Sequence, residues 1–174
     1  YLDKLSKTAN KIGAVNCVTI SKKKKLKGYN TDYHGFKKSI KPLLKDHHKK
    51  ALILGTGGAS KAIAYALRSL KIEYDFVSRT ADEFQYKYEE LDASIFEEYT
   101  IIINTTPVGT HPNVDDCPNL DYSLFTKKHI AYDLIYNPEE TAFLRKAKAQ
   151  GAVTKNGYEM LVLQAEKAWK IWNE

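Results

Sequence analysis

The amino-acid sequence predicts an α/β protein built on a doubly wound parallel sheet. Short, uniformly apolar segments alternate with amphipathic segments along the chain, which is the pattern of strands covered by helices on both faces. A glycine-rich turn joins the apolar segment 51–54 to an alanine-rich amphipathic segment, 59–70, and a second strand-like segment, 73–78, follows directly. This βαβ unit requires a parallel pair of strands with a right-handed crossover.

The composition is that of an ordinary soluble globular protein, with 43% hydrophobic and 28% charged residues in a chain of 174. That length is sufficient for one good core, or for one domain and part of another. No apolar run approaches the roughly 20 residues of a membrane span, so we expect no membrane partner. The two cysteines do not make a disulfide framework, which indicates a reducing cytoplasm. The histidines lack the spacing of metal ligands, so no metal is expected.

The formal net charge is +6, and much of it lies in two lysine-rich stretches, 21–27 and 45–50. Basic stretches of this kind occur in nucleic-acid-binding proteins, but they also occur as solvated turns and loops. No aromatic or glycine pattern of an RNA-binding module accompanies them. We therefore expect no nucleic-acid partner.

Further elements flank the βαβ unit. Before it, the sequence predicts a helix over 1–11, a strand over 13–20, its hairpin partner over 26–29 and a helix over about 31–44. After it, the sequence predicts a strand over 84–91, a short helix over 92–99, buried strands over 100–106 and 129–136, a helix over 138–151 with Pro at its start and Gly at its end, a short strand over 152–155 and a closing helix over 157–174.

The glycine-rich turn contains Gly55, Gly57 and Gly58, followed by Ala59 at the start of the helix, and these four are the first predicted cofactor-binding residues. Gly55 permits the tight turn. Gly57 lets the backbone approach a pyrophosphate, which the free N–H groups of a helix N-terminus bind. Ser60 occupies the usual third glycine position and is small enough for close helix–strand packing. A tight turn without a ligand is the alternative, and the βαβ context favours a dinucleotide.

The end of the next strand indicates which dinucleotide binds. An acidic residue at this point binds the ribose 2′-hydroxyl of NAD, whereas an arginine accommodates the 2′-phosphate of NADP. The sequence has Arg79 here, between the hydroxyl donors Ser78 and Thr80. It therefore predicts NADP, although Asp82 and Glu83 would repel a phosphate if they faced it.

The triplet Asn30, Thr31 and Asp32 stands at the start of the helix predicted over about 31–44. Residues of these types cap helix N-termini, because their side-chain oxygens accept hydrogen bonds from backbone N–H groups that have no helical partner. From these residues alone, Asp32 is either a cap or a residue that carries chemistry.

Seven motifs occur in the order and approximate spacing of one enzyme family. They are IGAVN, GYNTDYHGF, GTGGASKA, SRT, INTTPVG, YDLIYNPEET and NGYEMLVLQA. The sequence thereby resembles shikimate dehydrogenase over essentially all of its length, as the C-terminal two-thirds of such an enzyme. The resemblance implies NADP-dependent, reversible reduction of 3-dehydroshikimate to shikimate in aromatic amino-acid biosynthesis.

The resemblance also implies two α/β domains with the active site between them. Residues 1–30 are then a remnant of the N-terminal substrate domain, residues 31–155 form a Rossmann-like NADP-binding domain, and residues 156–174 form a helix that packs toward the substrate domain. The family's catalytic lysine, and the serine and threonine residues that hold the substrate, match positions upstream of Tyr1, where the chain begins without Met. We therefore expect a fragment that is inactive alone.

The family's functional residues carry over through the motif positions. Asp32 matches the catalytic aspartate, which fixes and tunes the lysine. The positions that match substrate-binding residues are Asn16, Asp32, Tyr136 and Gln164. The further positions that match cofactor-lining residues are Thr105, Gly157 and Met160. A purely structural role as a strand partner, a half-buried helix residue or a packed strand end is the alternative for Asn16, Gln164 and Tyr136.

Two alternative functions remain open from the sequence. One is a relative that also oxidises quinate, with NAD or NADP. The other is a dinucleotide-binding module without catalysis. The joint presence of Asn16, Asp32 and Gln164 favours an enzyme, because a binding module needs no substrate ligands. We expect a cytoplasmic monomer or homodimer.

Overall fold

The computed structural model describes residues 2–174, which form two sheets and six α-helices. The strands are β1 (Lys4–Leu5), β2 (Cys17–Ile20), β3 (Leu26–Tyr29), β4 (Lys50–Leu54), β5 (Glu73–Val77), β6 (Gln85–Tyr86), β7 (Ile101–Asn104), β8 (Ile130–Asp133) and β9 (Val153–Lys155). The helices are α1 (Lys7–Ile12), α2 (Asp32–Ile40), α3 (Gly58–Ser69), α4 (Ala93–Glu98), α5 (Ala142–Ala149) and α6 (Tyr158–Trp172). Of the helices in residues 2–174, none is both long and apolar enough to cross a lipid bilayer.

The larger sheet has six parallel strands in the order β6-β5-β4-β7-β8-β9. The chain moves outward from β4 through β5 to β6, and then returns to add β7, β8 and β9 on the other side of β4. This order confirms the predicted doubly wound sheet of the Rossmann type and places its switch point between β4 and β7. In the smaller sheet, of order β1-β3-β2, β1 is parallel and β2 antiparallel to β3.

Helices cover both faces of the larger sheet. Ile53, Ile103 and Tyr132 are fully buried on one face, among side chains of α2, α3 and α6. Leu52 and Ile102 are fully buried on the other face, among side chains of α4 and α5. Successive residues of a strand thus enter different cores, which is why the central strands are uniformly apolar.

Helix α2 crosses α6 so closely that their backbones are in contact. A Cβ atom at Gly35 would lie 2.5 Å from the carbonyl oxygen of Met160 and 3.2 Å from the Cβ of Gln164. Only glycine fits at this crossing, because a Cβ atom is not tolerated so near a backbone oxygen. The crossing holds the N-terminal half of α2, which begins at Asp32, beside α6.

The helix predicted over 1–11 is wrong at its N-terminal end. Lys4–Leu5 form β1 and pair with β3, and α1 begins only after Ser6, whose hydroxyl accepts a hydrogen bond from the N–H of Ala9 (3.1 Å). Pairing with a strand that lies later in the chain overrides the local helical pattern. Tyr1 lies outside the described residues.

Several other predicted elements are shorter in the structure. The strands predicted over 13–20, 84–91, 100–106 and 129–136 are confined to β2, β6, β7 and β8, and a 3-10 turn follows β6. In place of the helix predicted over about 31–44, the structure has α2 followed by a 3-10 turn that contains Pro42. Proline has no N–H for a helical hydrogen bond, so the α-helix ends before it. Residues 78–84, between β5 and β6, contain turns and no helix, and α4 is the α-helix that the structure places between Arg79 and Thr100.

The helix predicted over 138–151 starts later than expected. The hydroxyl of Thr141 accepts a hydrogen bond from the N–H of Leu144 (3.3 Å) and caps α5 at that point. Pro138 therefore lies outside the helix, and the predicted proline start is wrong. Side-chain capping by threonine decides this boundary.

We expect Gly35→Ala to lower the free energy of unfolding by about 2–3 kcal/mol, because the added methyl group forces α2 away from the carbonyl of Met160. Equilibrium unfolding in urea measures the difference. The matched control is Gly58→Ala, since a Cβ at Gly58 meets no atom within 4 Å and alanine favours the helix that begins there. Equal free energies of unfolding for the two variants would show that α2 and α6 can move apart without a loss of stability.

Candidate functional site

A cleft runs along the edge of the larger sheet at which β4 and β7 end. Its first cavity, of about 800 Å³, is bordered by the turn after β4, the end of β5 and the loop after β7. A second cavity, of about 440 Å³, shares Thr105, Thr106 and Pro107 with the first and extends to the end of β8. The cleft, meaning both cavities together, therefore lies at the switch point, where open α/β sheets bind ligands.

The glycine-rich turn after β4 forms one wall of the cleft. Gly55 has a φ of +99°, and a Cβ atom there would lie 2.9 Å from Thr106 Cγ2, so both backbone conformation and space require glycine. Gly57 is the N-cap of α3, and a Cβ atom on it would meet open space. No side chain caps α3, so its first N–H groups are available to an anion. The buried Ser60 hydroxyl donates to the Gly57 carbonyl (2.6 Å) and fixes the turn on the helix.

Ser78, Arg79 and Thr80 line the first cavity at the end of β5. Arg79 is exposed, and no ion pair among residues 2–174 engages it. The carboxylate of Asp82, which would repel a phosphate, accepts hydrogen bonds from the side-chain amide of Gln85 (2.7 Å) and from a backbone N–H (3.0 Å). Arg79 is therefore available to an anionic group in this cavity.

Several residues of the first cavity are not evident from the sequence pattern, among them two on the segment after β6. Tyr88 and Glu89 line the cavity from the 3-10 turn after β6. Burial raises the pKa of the Tyr88 phenol, and the positive charge of Arg79 opposes that rise. Alternation in 84–91 predicts a strand, and only the turn observed there brings these side chains to the cavity.

A second group of polar side chains lies where the smaller sheet meets α2 and α6. The amide of Asn16 donates to Asp32 Oδ1 (2.8 Å) and to Thr31 Oγ1 (3.1 Å), and Asn16 Oδ1 accepts the N–H of Thr31 (2.8 Å). The hydroxyl of Thr31 donates to Gln164 Oε1 (3.0 Å). We call these four residues the amide–carboxylate cluster. The structure thus brings together three of the predicted substrate-site residues.

Asp32 is half-buried in the first turn of α2. Burial raises the pKa of its carboxyl group, and the hydrogen bond from Asn16 opposes that rise. No ion pair among the described residues includes Asp32. The amide of Asn16 and the helix N-terminus therefore stabilise its charge in place of a cation.

The capping expectation holds for Asn30 but not for Thr31. Asn30 Oδ1 accepts the N–H of Tyr33 (3.3 Å), which confirms its role at the helix start. Thr31 is the N-cap residue of α2, yet its side chain makes no capping hydrogen bond. The side chain is fully buried and bonds to Asn16 and Gln164 instead. The capping role predicted for the Thr31 side chain is wrong, and Thr31 is a further cluster residue that the sequence pattern does not indicate.

The remaining predicted site residues lie at different depths. Ala59 and Tyr136 line the second cavity, and Tyr136 is 49% exposed. Gly157 packs against the main chain, because a Cβ atom there would collide with the carbonyl of Leu134. Met160 is buried in the core beneath α2 and α6. Gly157 and Met160 line neither cavity, and their roles at a cofactor stay predictions.

A buried polar network underlies the loop that the two cavities share. Asp133 accepts hydrogen bonds from Asn104 Nδ2 (3.1 Å), the Ile135 N–H (3.1 Å) and Thr141 Oγ1 (2.6 Å). Asn104 Oδ1 accepts the N–H (3.0 Å) and the hydroxyl (2.6 Å) of Thr106. Burial raises the pKa of Asp133 to about 6. Polar residues that end two neighbouring apolar strands are the sequence signal that could have identified this network.

The parallel sheet, the glycine turn at a helix N-terminus and the cleft at the switch point define a Rossmann-type dinucleotide-binding protein. Comparison with known proteins then identifies the family. The chain is 42% identical over 190 residues to shikimate dehydrogenase (NADP(+)) of Caldanaerobacter subterraneus subsp. tengcongensis, covering 99% of this chain and 66% of that protein. It is 39% identical over 188 residues to shikimate dehydrogenase (NADP(+)) of Bacillus cereus, covering 99% and 67%. The chain belongs to the shikimate dehydrogenase family.

A solved structure supports the same assignment. Shikimate 5-dehydrogenase from Thermus thermophilus, in complex with NADP(H) and shikimate, superposes with a TM-score of 0.83 at 36% identity, covering 98% of this chain and 66% of that chain. No protein-family model matches the chain. The chain spans about two thirds of the length of the relatives that it matches. The family recognised from the seven motifs is confirmed.

We expect Asn16→Ala to raise the pKa of Asp32 further, because the variant loses the hydrogen bond that stabilises the ionised carboxylate. The carboxyl-carbon shift of Asp32, followed by NMR through a pH titration, measures this pKa. Gln164→Ala is the matched control, since it removes an amide of the same cluster whose hydrogen bonds are to Asn16 and Thr31. An Asp32 pKa in Asn16→Ala at or below that of the unchanged chain would remove Asn16 from this role.

Proposed function

We propose that this chain provides the NADP site and part of the substrate site for the reversible reduction of 3-dehydroshikimate to shikimate. One observation carries the proposal: the chain combines the glycine turn and Arg79 with an assembled amide–carboxylate cluster. A module that only bound a dinucleotide would need the first feature and not the second. The family relationship makes this reaction the one to test.

The first cavity supports NADP as the cofactor. The N-terminus of α3 offers N–H donors to a pyrophosphate, and Arg79, with Ser78 and Thr80, offers a set of donors suited to a 2′-phosphate. NADP is the cofactor named for the relatives that the chain matches. When bound, the nicotinamide supplies the hydride. We place that end of the cofactor in the second cavity, which Ala59 and Tyr136 border.

The amide–carboxylate cluster supports a polyhydroxylated substrate. A hydroxyl group both donates and accepts hydrogen bonds, and the amides of Asn16 and Gln164 can do the same. Asp32 adds a carboxylate whose pKa is raised by burial, which brings its proton exchange closer to neutral pH. We assign Asp32 to the proton relay. The lysine that completes this relay in the family matches no position among residues 2–174.

We propose the domain division that the sequence predicts, with residues 1–30 on the substrate side, 31–155 in the dinucleotide domain and 156–174 packing toward the substrate side. A contact of the last helix supports this division. The indole N–H of Trp172 donates to the carbonyl of Val18 (3.0 Å) and thereby joins α6 to β2. Helix α6 therefore bridges the larger sheet and the smaller one.

We expect Arg79→Ala to weaken NADP⁺ binding by about 10- to 100-fold and to leave NAD⁺ binding within about twofold, because only NADP⁺ carries the 2′-phosphate. Isothermal titration calorimetry with each ligand measures both effects. Arg68→Ala is the matched control, an exposed arginine in the last turn of α3 that does not line the cleft. Equal NADP⁺ affinity in Arg79→Ala and the unchanged chain would exclude Arg79 from cofactor selection.

We expect the 174-residue chain to bind NADP⁺ but to oxidise shikimate about 10²- to 10⁴-fold more slowly than the Bacillus cereus relative, because no lysine among residues 2–174 pairs with Asp32. NADPH absorbance measures both rates under the same conditions. Quinate in place of shikimate tests the alternative substrate on the same relay. Shikimate oxidation at the relative's rate would contradict the role assigned to the missing lysine.

A further inference from the structure

Three fully buried polar residues lie side by side beneath the cleft. They are Asn104 at the end of β7, Asp133 at the end of β8 and Thr141 at the N-cap of α5, each 0% exposed. Burial of a carboxylate is unfavourable unless hydrogen bonds compensate for its lost hydration, and an apolar residue would make a simpler core. An acid at this depth therefore calls for an explanation in terms of the cleft above it.

Every partner of the Asp133 carboxylate is a hydrogen-bond donor. Oδ1 accepts from the Asn104 amide and the Ile135 N–H, both at 3.1 Å, and Oδ2 accepts from the Thr141 hydroxyl at 2.6 Å. The charge thus orients the NH₂ group of Asn104 toward Asp133 and leaves its Oδ1 directed at Thr106. That orientation matters, because Thr106 presents two donors, its N–H at 3.0 Å and its hydroxyl at 2.6 Å.

Thr106 lies at the centre of the loop that borders both cavities. Thr105, before it, is held by the carbonyl of Leu54, which accepts its N–H (3.0 Å) and its hydroxyl (2.6 Å). Asn104 holds Thr106 itself, and the Thr106 hydroxyl accepts the N–H of Val108 (3.3 Å). The side chain of Asn104 therefore sets the course of the loop beyond the end of β7.

We propose that Asp133 is a positioning residue for the dinucleotide: through Asn104 and Thr106 it holds the loop after β7 in the shape that borders both cavities. The proposal rests on the proposed function for the identity of the ligand. Asp133 itself does not line the cleft. It acts on the ligand only through the loop.

Ionisation of the buried Asp133 carboxyl group lowers the stability of the fold at neutral pH. Burial raises the pKa of Asp133 from 3.8 to about 6, so the folded chain binds this proton more tightly than the unfolded chain. The contribution of this group to stability therefore falls as the pH rises from 3.8 to about 6. Around Asp133, β7 and α5 contribute Asn104 and Thr141, which do not titrate. The titratable Tyr122 has its pKa raised by burial first, then by Cys117 and by Asp133.

The charge of Asp133 is expected to destabilise the fold and to support NADP⁺ binding. Removal of the charge should therefore change stability and binding in opposite directions. We expect Asp133→Asn to unfold at an equal or higher temperature than the unchanged chain at neutral pH. The NADP⁺ dissociation constant should rise by about 3- to 10-fold, because the amide of Asn104 loses a charged acceptor. Calorimetric titration and thermal unfolding measure the two effects separately.

Asn104→Ala interrupts the same chain of hydrogen bonds one step closer to the loop. We expect it to raise the NADP⁺ dissociation constant by at least about tenfold, since both donors of Thr106 lose their acceptor. The double variant with Asp133→Asn should bind no more weakly than Asn104→Ala alone, because the two residues act in series.

Protonation of Asp133 should reproduce the substitution. The ratio of the NADP⁺ dissociation constants of Asp133→Asn and the unchanged chain is expected to approach one at about pH 5, below the pKa of about 6. The ratio is the right quantity, because the 2′-phosphate of NADP⁺ also titrates near pH ~6 and affects both proteins equally.

Ser39→Ala is the matched control. Its hydroxyl makes a buried hydrogen bond to Tyr132, the residue before Asp133 on β8, toward the opposite face of the sheet (2.6 Å). We expect this variant to lose stability and to keep its NADP⁺ affinity. Such a result shows that a buried hydrogen bond of the same strand does not affect binding in general.

The outcomes separate the two proposals. If the unchanged chain does not bind NADP⁺, the proposed function fails, and the positioning role fails with it. Normal binding by the unchanged chain, with unaltered affinity in Asp133→Asn and Asn104→Ala, overturns the positioning role alone. A loss of stability that accompanies weaker binding in Asp133→Asn makes the network purely structural and also overturns the role.

Discussion

The close crossing of α2 and α6 is the constraint on which both parts of the site depend. Because Gly35 has no side chain, the two backbones are in contact, and Asp32 joins Gln164 in one polar cluster. The same helix α2 packs against α3 through the edge-to-face contact of Tyr33 and Tyr65, with ring centres 5.3 Å apart. The helix that carries the acid is thus fixed against the helix whose N-terminus borders the cleft. A cluster at the smaller sheet and a cleft at the larger sheet are held in one arrangement by a single helix.

The edge at which the parallel strands end concentrates the polar chemistry of the dinucleotide side. Within the sheet, backbone groups are paired and side chains enter apolar cores, so no group remains free to contact a ligand. At the end of the ladder, β4 continues into the glycine turn, β7 ends in Asn104 and β8 ends in Asp133. Free backbone N–H groups of the glycine turn therefore lie at the same edge of the sheet as the buried acceptors Asn104 and Asp133, which can shape the loop after β7. In the positioning role that we propose for Asp133, some stability is lost there while the binding surface gains a defined shape, as is common at functional sites.

The sequence was sufficient for the larger sheet because each central strand is apolar on both sides and the βαβ unit fixes its hand. The sequence was insufficient where contacts with residues far away in the chain determine the local structure. Lys4–Leu5 read as helix until β3 supplies ladder partners, and Thr31 reads as a cap although its hydroxyl bonds to Gln164, 133 residues away. The motif positions identified the acid and both amides of the cluster. Each of β7 and β8 ends in a polar residue, which the sequence shows, but the strand pairing that joins Asn104 to Asp133 is visible only in the structure.

The hydrogen bond between the last helix and the smaller sheet has an optical consequence. The chain has two tryptophans, Trp169 and Trp172, and both lie near the end of α6 with more than half of their surface exposed. Neither borders the cleft, and the indole of Trp172 is the group that bonds to Val18. Indole emission depends on local polarity and hydrogen bonding. The intrinsic fluorescence of this chain therefore reports on the contact between α6 and the smaller sheet, with little direct contribution from the cleft.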